Sequence, residues 1–306
     1  MDDPASAPRL GGDFHTDKQS THSMHAASAP GLPLPARLQV VHDATPHGAR
    51  VADIGCDHGM LSAALSTSGR ASLVCACDVS PHALLKTARN LERATAAASA
   101  TCATSLREGD GFASLEIEDN IDTVIMAGIG VPKMEAILTG GLVSFSPIME
   151  GVHTLILQPI APRLPQMALL RAVLRRRGFC ECHEQFTTTE DATGLVRPYI
   201  TLTARRGSTQ RRVSWSSPSP SFCPPVSPPE RVLGASPPLR DPSFRMYLQH
   251  QRGSLLDGLR VQMEARPTAK SERERRRYEA WIRLIDAALP EAEAEQLGAR
   301  RIRMIC

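Results

Sequence analysis

No stretch of the 306 residues approaches the ~18 consecutive apolar residues that cross a membrane. The N-terminus also lacks the basic and apolar regions of a secretory signal. A soluble, cytoplasmic protein without a membrane partner is therefore expected. Organelle targeting by the first residues stays open, although Asp2 and Asp3 speak against it. The spacing Cys-x-x-Cys is missing as well, so the eight cysteines have no zinc-finger pattern. Cys75/Cys77 and Cys180/Cys182 alternate as residues on one strand face do, which predicts reduced, mostly buried thiols and no metal. Net charge is nearly absent: 35 basic against 32 acidic side chains leave +3. Any nucleic-acid signal must then come from local arginine clusters.

What is present is 42% hydrophobic residues, enough for a sizeable core. Residues 1–35 are rich in Ala, Ser, Pro, Gly and His without an apolar period, which predicts a disordered tail. His15, His22 and His25 fall in that tail and are expected to be solvated. From residue 36 short apolar runs alternate with amphipathic stretches, the signature of a strand-helix repeat around a largely parallel sheet. "RVADIGC", "ASLVCACD", "ATSLREGDG", "IDTVIMAGIG" and "HTLILQP" supply five strands, and "CECHEQFTTTE" with "RPYITLTARR" a closing hairpin. Leu61, Ala64 and Leu65 are expected to face inward on the first intervening helix, and Leu84, Ala88 and Leu91 on the next, which Ser80 caps ahead of Pro81. Met167, Leu170 and Leu174 mark a further helix that Gly178 stops.

This domain is expected to span 36–206. A Ser/Pro-rich linker, 207–242, follows, its composition unable to pack a core. Leu248, Leu255, Leu259 and Met263, then Tyr278, Trp281, Ile282, Ile285 and Leu289, repeat at helical spacing on either side of Pro267. They predict a helical hairpin over 243–298 and leave a tail, 299–306.

Three acidic or glycine-bearing sites fall at strand ends, where doubly wound sheets bind their ligands. In "DIGCDHG", Gly55 and Gly59 admit a close ligand while Asp53 and Asp57 bracket the turn. Asp78 ends the second strand, where a carboxylate can accept from both ribose hydroxyls; Asp110 in "EGDG" ends the third and can accept from an adenine amino group. A nicotinamide enzyme shares the glycine turn and the ribose acid. Its pyrophosphate would be repelled by Asp53 and Asp57, whereas S-adenosylmethionine carries a sulfonium and an ammonium that carboxylates favour. A plainer reading also stands: Asp53 fixes the turn through backbone amides, and Asp78 with Val79 and Ser80 is a helix-capping region. Past the fourth strand, "MAGIGVPKM" has no aromatic plate of the kind that holds a flipped base for methylation of an exocyclic amine.

Together, "LPARLQVVHDATPHGARVADIGCDHGML", "REGDGF", "VIMAGIG", "LILQP" and, after the linker, "LGASPPLRDPSFRMYLQHQRGSLLDGL" resemble the bacterial-type tRNA adenine-22 N1-methyltransferases, the TrmK group, over about 36 to 290. The resemblance implies an α/β class I (Rossmann-like) methyltransferase with a mostly parallel seven-stranded sheet and a C-terminal helical hairpin (coiled coil) that engages tRNA. It also implies S-adenosylmethionine as cofactor. The family's cofactor positions fall on Asp53, Gly55, Asp57, His58, Asp78, Asp110 and Gly128; the adjacent Cys56, Val79, Gly111 and Ala127 complete the candidate set. Asp57 and His58 are the catalytic candidates, Asp57 to stabilise charge developing on the base and His58 to contact it or hold the loop. Gly130 and Arg273, Arg275, Arg276 and Arg277 are the RNA candidates, with Arg175 to Arg177 and Arg205/Arg206 with Arg211/Arg212 as other basic clusters. The chain departs from the family in three places. Val131 stands where a second glycine is usual, Gly59 where alanine is frequent, and Ile160 where asparagine is common.

The implied reaction is methyl transfer to adenine N1, whose lone pair needs no prior deprotonation. Two readings compete: methylation of a small molecule or protein, and a non-catalytic RNA-binding protein that keeps the fold. The oligomeric state is left open, a monomer being favoured.

Overall fold

A computed structural model of the chain describes residues 33–99, 101–140, 147–190, 194–206, 233, 238–264 and 268–289. Residues 1–32 of the tail expected over 1–35, most of the linker, residues 265–267 and 290–298 of the hairpin and the tail at 299–306 lie outside the described residues. So do His15, His22, His25, Arg211 and Arg212.

The first helix among the described residues, α1 (Ala36–Ala44), is absent from the expectation and buries Leu38 and Val41. Strands and helices then alternate: β1 (Ala49–Ile54), α2 (Met60–Thr67), β2 (Ala71–Asp78), α3 (Pro81–Ala97), β3 (Ala103–Glu108), β4 (Thr123–Ala127), α4 (Val131–Thr139), α5 (Ile148–Gly151), β5 (Thr154–Gln158), α6 (Leu164–Arg176), β6 (Phe179–Glu190) and β7 (Val196–Arg206). They form one seven-stranded sheet ordered β3-β2-β1-β4-β5-β7-β6. All pairings from β3 to β5 are parallel; β7 runs antiparallel to both β5 and β6. The near-continuous apolar runs of β1, β4 and β5 follow from this, because a central parallel strand is covered on both faces. Order reverses between β1 and β4: the chain winds outward through β2 and β3, returns, and winds the other way through β5. The C-terminal ends of β1 and β4 therefore border a crevice.

Two helical faces differ from expectation. On α3 the buried residues are Ala83, Thr87, Leu91 and Ala94, while Leu84 and Ala88 are half-buried. Small side chains take the inner face because the turn after β1 comes so close: a Cβ built on Gly59 would lie 2.3 Å from Thr87 Cγ2. On α2, Ser62 and Ser66 are buried beside Leu61, Ala63 and Leu65, and Ala64 is half-buried. Gly59 also has φ +66°, a left-handed conformation that disfavours any Cβ. Gly59→Ala is expected to cost about 2 kcal/mol, measured by urea unfolding, and a second change, Thr87→Ala, should return part of it. Full additivity of the two changes would show that the contact is not the cause.

Of the six cysteines among the described residues, Cys56, Cys75, Cys77, Cys102 and Cys182 are free thiols. Cys180 is disulfide-bonded, a departure from the expectation of thiols throughout.

Two further helices follow, α7 (Pro242–Glu264) and α8 (Ala269–Ala288). α7 docks on the sheet domain: Phe244 meets Phe186 of β6 edge-on with ring centroids 4.6 Å apart. Gln251 Nε2 donates to the Pro162 carbonyl at 2.7 Å, and its Oε1 accepts from Leu164 N at 2.9 Å. Leu248 and Leu255 are buried as expected, but Met263, near the end of α7, is 68% exposed. Ile285 and Leu289 are the buried members of the α8 stripe. Beneath α7, Arg171 of α6 makes a two-pronged ion pair with Glu184 of β6, at 2.6 and 2.9 Å. Burial works against the guanidinium charge, and Glu184 outweighs it, so Arg171 is held protonated. None of the described helices is long and apolar enough to cross a membrane.

Candidate active site

The site grows from the turn after β1. Gly55 N and Cys56 N both donate to the Cys77 carbonyl, at 2.8 and 3.0 Å, which pins the turn to the end of β2. Gly55 (φ +75°) and Asp57 (φ +50°) are left-handed. For Asp57 this is tolerable because both its backbone groups are held: its N–H donates to Asp78 Oδ2 at 3.1 Å, and its carbonyl accepts from Thr87 Oγ1 at 3.0 Å. The other Asp78 oxygen accepts from Ser80 N at 2.9 Å. Asp78 thus fixes the turn and caps the approach to α3 at once.

Asp53 is 2% exposed and accepts from Ser62 Oγ at 2.6 Å. Burial pushes its carboxyl up to about 6, and the nearby Asp78 charge adds to the effect while the Ser62 hydrogen bond opposes it. The folded protein therefore holds this proton more tightly than the unfolded chain. Stability from this group is greatest below about pH 4 and is lost as pH rises through about 6, by up to about 3 kcal/mol. Asp53→Asn is expected to flatten the stability profile between pH 4 and 6 and to raise the melting temperature at pH 7. An unchanged profile would remove Asp53 as its source.

Burial, with Asp53 alongside, pushes the Cys56 thiol up to about 12, so it stays protonated and is no nucleophile. His58 is held from three sides. Its Nε2 lies 2.9 Å from Lys86 Nζ, its Nδ1 lies 3.4 Å from Asp57 Oδ2, and its carbonyl accepts from Asn90 at 2.8 Å. An ammonium only donates, so Nε2 accepts and Nδ1 carries the proton toward Asp57. A ring used at both nitrogens steadies the loop.

These residues border a cavity of about 440 Å³, within the usual range for small-ligand sites. Asp53, Gly55, Cys56, Asp57, His58, Asp78, Ala127 and Gly128, eight of the sequence candidates, line it. Val79 and Gly130 do not; Val79 is 60% exposed, and Gly130 is the N-cap of α4. Asp110 and Gly111 also fall outside the lining: the Asp110 carboxylate is 2.8 Å from Lys133 Nζ, and Gly111 packs under Ile137. Val131 is 2% exposed in the core beneath the first turn of α4, so its bulk fills the core instead of the cavity. Arg273, Arg275, Arg276 and Arg277 all lie on α8, and Arg273, Arg275 and Arg277 carry their side chains at the surface.

The remaining lining includes Arg37, Gln158 and Tyr199, none of which was a candidate from sequence. Gln158, 1% exposed, donates through Nε2 to the Arg37 carbonyl and to Thr201 Oγ1, each at 2.7 Å. Arg37 Nη1 donates back to Gln158 Oε1 at 3.2 Å. The Arg37 guanidinium lies over the Tyr199 ring, 5.7 Å from its centroid, and Ile129, Ile160 and Tyr199 complete this side. Arg37 and Gln158 do lie in motif stretches, "LPARL" and "LILQP", but they are 121 positions apart and nothing in their spacing joins them.

Strand order, the reversed seventh strand and a carboxylate-lined glycine turn at the switch point define a Rossmann-like methyltransferase. The methyltransferase domain family matches residues 34–193, just over half of the chain, and the chain belongs to that family. A tRNA (adenine(22)-N(1))-methyltransferase of Bacillus subtilis (strain 168) is 31% identical over 128 residues, 42% of this chain and 50% of the relative. The chain thus spans about half the length of that curated relative. A Rossmann-superfamily protein of Streptococcus agalactiae has the same fold, with a TM-score of 0.65 and 25% identity over 86% of this chain and 100% of the other. TrmK of M. capricolum, in complex with S-adenosyl-homocysteine, superposes with a TM-score of 0.60 at 18% identity, covering 84% and 99% of the two chains.

Proposed function

We propose that this chain transfers the methyl group of S-adenosylmethionine to N1 of an adenine in tRNA. The observation that carries the reading is the set of three carboxylates, Asp53, Asp57 and Asp78, around the Gly55 turn of the cavity. A cofactor with a sulfonium and an ammonium suits that wall, and a pyrophosphate does not. The cofactor supplies an electrophilic methyl group. Asp78 accepts from ribose hydroxyls, and Gly55 and Gly128 let the backbone meet the ligand without a Cβ between. Asp57 supplies the negative charge that favours a base becoming cationic. No residue is needed as a base, because neutral adenine already presents the N1 lone pair. That agrees with a protonated Cys56 thiol and with a His58 ring committed at both nitrogens. The rate gain comes mainly from orientation and exclusion of water.

The RNA part rests on the activity of the Bacillus relative and on α8. There Arg277 pairs with Glu274 at 2.8 Å and Arg275 with Glu279 at 3.6 Å, both on the surface. Such exposed pairs are weak, so phosphates can compete for these side chains. Replacing Arg273 and Arg276 by Glu should weaken tRNA binding and lower the salt slope by about one for each phosphate no longer neutralised. A slope unchanged in a filter-binding series from low to moderate salt would move the RNA surface elsewhere.

The deciding test incubates the purified chain with labelled S-adenosylmethionine and unmodified tRNA transcripts and resolves the nucleosides by mass spectrometry. 1-Methyladenosine is expected. Label found in protein or small molecules and absent from RNA would overturn the reading.

A further inference from the structure

We infer that Arg37, backed by Tyr199, forms the stacking platform for the acceptor base; this rests on the methyl-transfer reading above. The cavity has two unlike walls. One carries Asp53, Asp57 and Asp78; the other carries the guanidinium of Arg37 on the Tyr199 ring, 5.7 Å from its centroid. A cation there is a poor neighbour for a sulfonium and a good one for a neutral, electron-rich base.

The way Arg37 is held decides what it can offer. Its Nη1 donates to Gln158 Oε1 at 3.2 Å, and its backbone carbonyl accepts from the same buried side chain at 2.7 Å, so the guanidinium is held in place at one end. With the guanidinium laid over the Tyr199 ring, its other flat face is available to a planar ring. Guanidinium planes are a recurrent surface for unstacked nucleobases. Gly128 lies beside the guanidinium: a Cβ there would be in van der Waals contact with Arg37 Nη1, at 3.9 Å. The platform also supplies, from α1 and β7, the aromatic plate that the segment after β4 lacks.

The charge has a second effect. The bond from sulfur to the methyl carbon breaks as the bond from N1 to carbon forms, so the sulfur keeps the electron pair and the base becomes a cation. The base that stacked on Arg37 as a neutral ring leaves it as a like charge. Arg37 thereby favours binding of the neutral substrate and release of the cationic product, while the carboxylate of Asp57 offsets its repulsion as charge develops.

The experiment compares wild type with Arg37→Lys, which keeps the charge and the backbone carbonyl that Gln158 needs but loses the plane, and with Tyr199→Phe and Tyr199→Ala. Melting curves establish that each variant folds. S-Adenosylmethionine affinity is read by calorimetry, and KM and kcat for tRNA transcripts are read separately. Arg37→Lys and Tyr199→Ala should raise KM for tRNA by about fivefold to a hundredfold, the range for losing one base–side-chain stack, with cofactor affinity within about twofold of wild type and Tyr199→Phe close to wild type. Weakened cofactor binding with tRNA KM unchanged would overturn the platform and assign Arg37 to the cofactor carboxylate; no change in either would overturn it as well. If wild type transfers no methyl group to tRNA, the parent reading fails and the platform fails with it. Transfer by wild type with unaltered tRNA kinetics in Arg37→Lys sinks the platform alone.

Discussion

Glu184→Ala is expected to cost about 3 kcal/mol of folding stability, because it takes a two-pronged carboxylate partner from the buried guanidinium of Arg171. The side chains of the pair are only 9% and 11% exposed, so water cannot take the carboxylate's place. The same principle supplies the control. Replacing Arg171→Met together with Glu184→Leu removes both buried charges of this pair and should recover part of the loss. Chemical denaturation of the single and double variants measures both. A Glu184→Ala chain within about 1 kcal/mol of wild type would mean that the pair contributes little. The α6–β6–α7 junction would suffer most, since the Tyr247 ring of α7 packs beside Phe186 of β6 with centroids 5.4 Å apart.

Asp78→Ala should leave the fold standing and weaken S-adenosylmethionine binding roughly a thousandfold. The magnitude corresponds to two charge-assisted hydrogen bonds to ribose hydroxyls at about 2 kcal/mol each. The carboxylate also accepts from Asp57 N and Ser80 N, so its loss relaxes the turn that presents Gly55 as well. Both amides lie near solvent, and water can replace the carboxylate there, which keeps the stability cost near about 1 kcal/mol. Calorimetric titration beside a melting curve separates the two effects. Affinity within about threefold of wild type would take Asp78 out of the cofactor site.

The parts of this site that sequence reveals are those whose chemistry is consecutive. Asp53, Gly55, Asp57 and His58 stand close together in the chain, and a strand followed by glycine and acid states its own turn. Strand count, the closing hairpin and the two C-terminal amphipathic stripes were legible for the same reason: each is a period of about 2 or 3.6 written along the chain. Side-chain direction at a strand end is not written there. Asp110 follows β3 just as Asp78 closes β2, yet Asp78 lines the cavity and Asp110 turns to Lys133. Nor does a helical period reveal which neighbour will come close. The inner face of α3 is Ala83 and Thr87 instead of Leu84 and Ala88 because the Gly59 turn presses against it. Arg37, Gln158 and Tyr199 were illegible because their only relation is spatial.

That last trio sets an order of events during synthesis. Gln158 joins a carbonyl 121 residues before it to a hydroxyl 43 residues after it. The glycine turn is complete once α3 has brought Thr87 to the Asp57 carbonyl, but the wall of Arg37, Gln158 and Tyr199 waits until β7 has emerged and returned antiparallel between β5 and β6. Closing so long a loop is slow relative to local turns. A nascent chain still short of Tyr199 thus carries the acidic half of the pocket without the wall that faces it. On the proposed methyl-transfer reading, the pocket is complete only once β7 has joined the sheet.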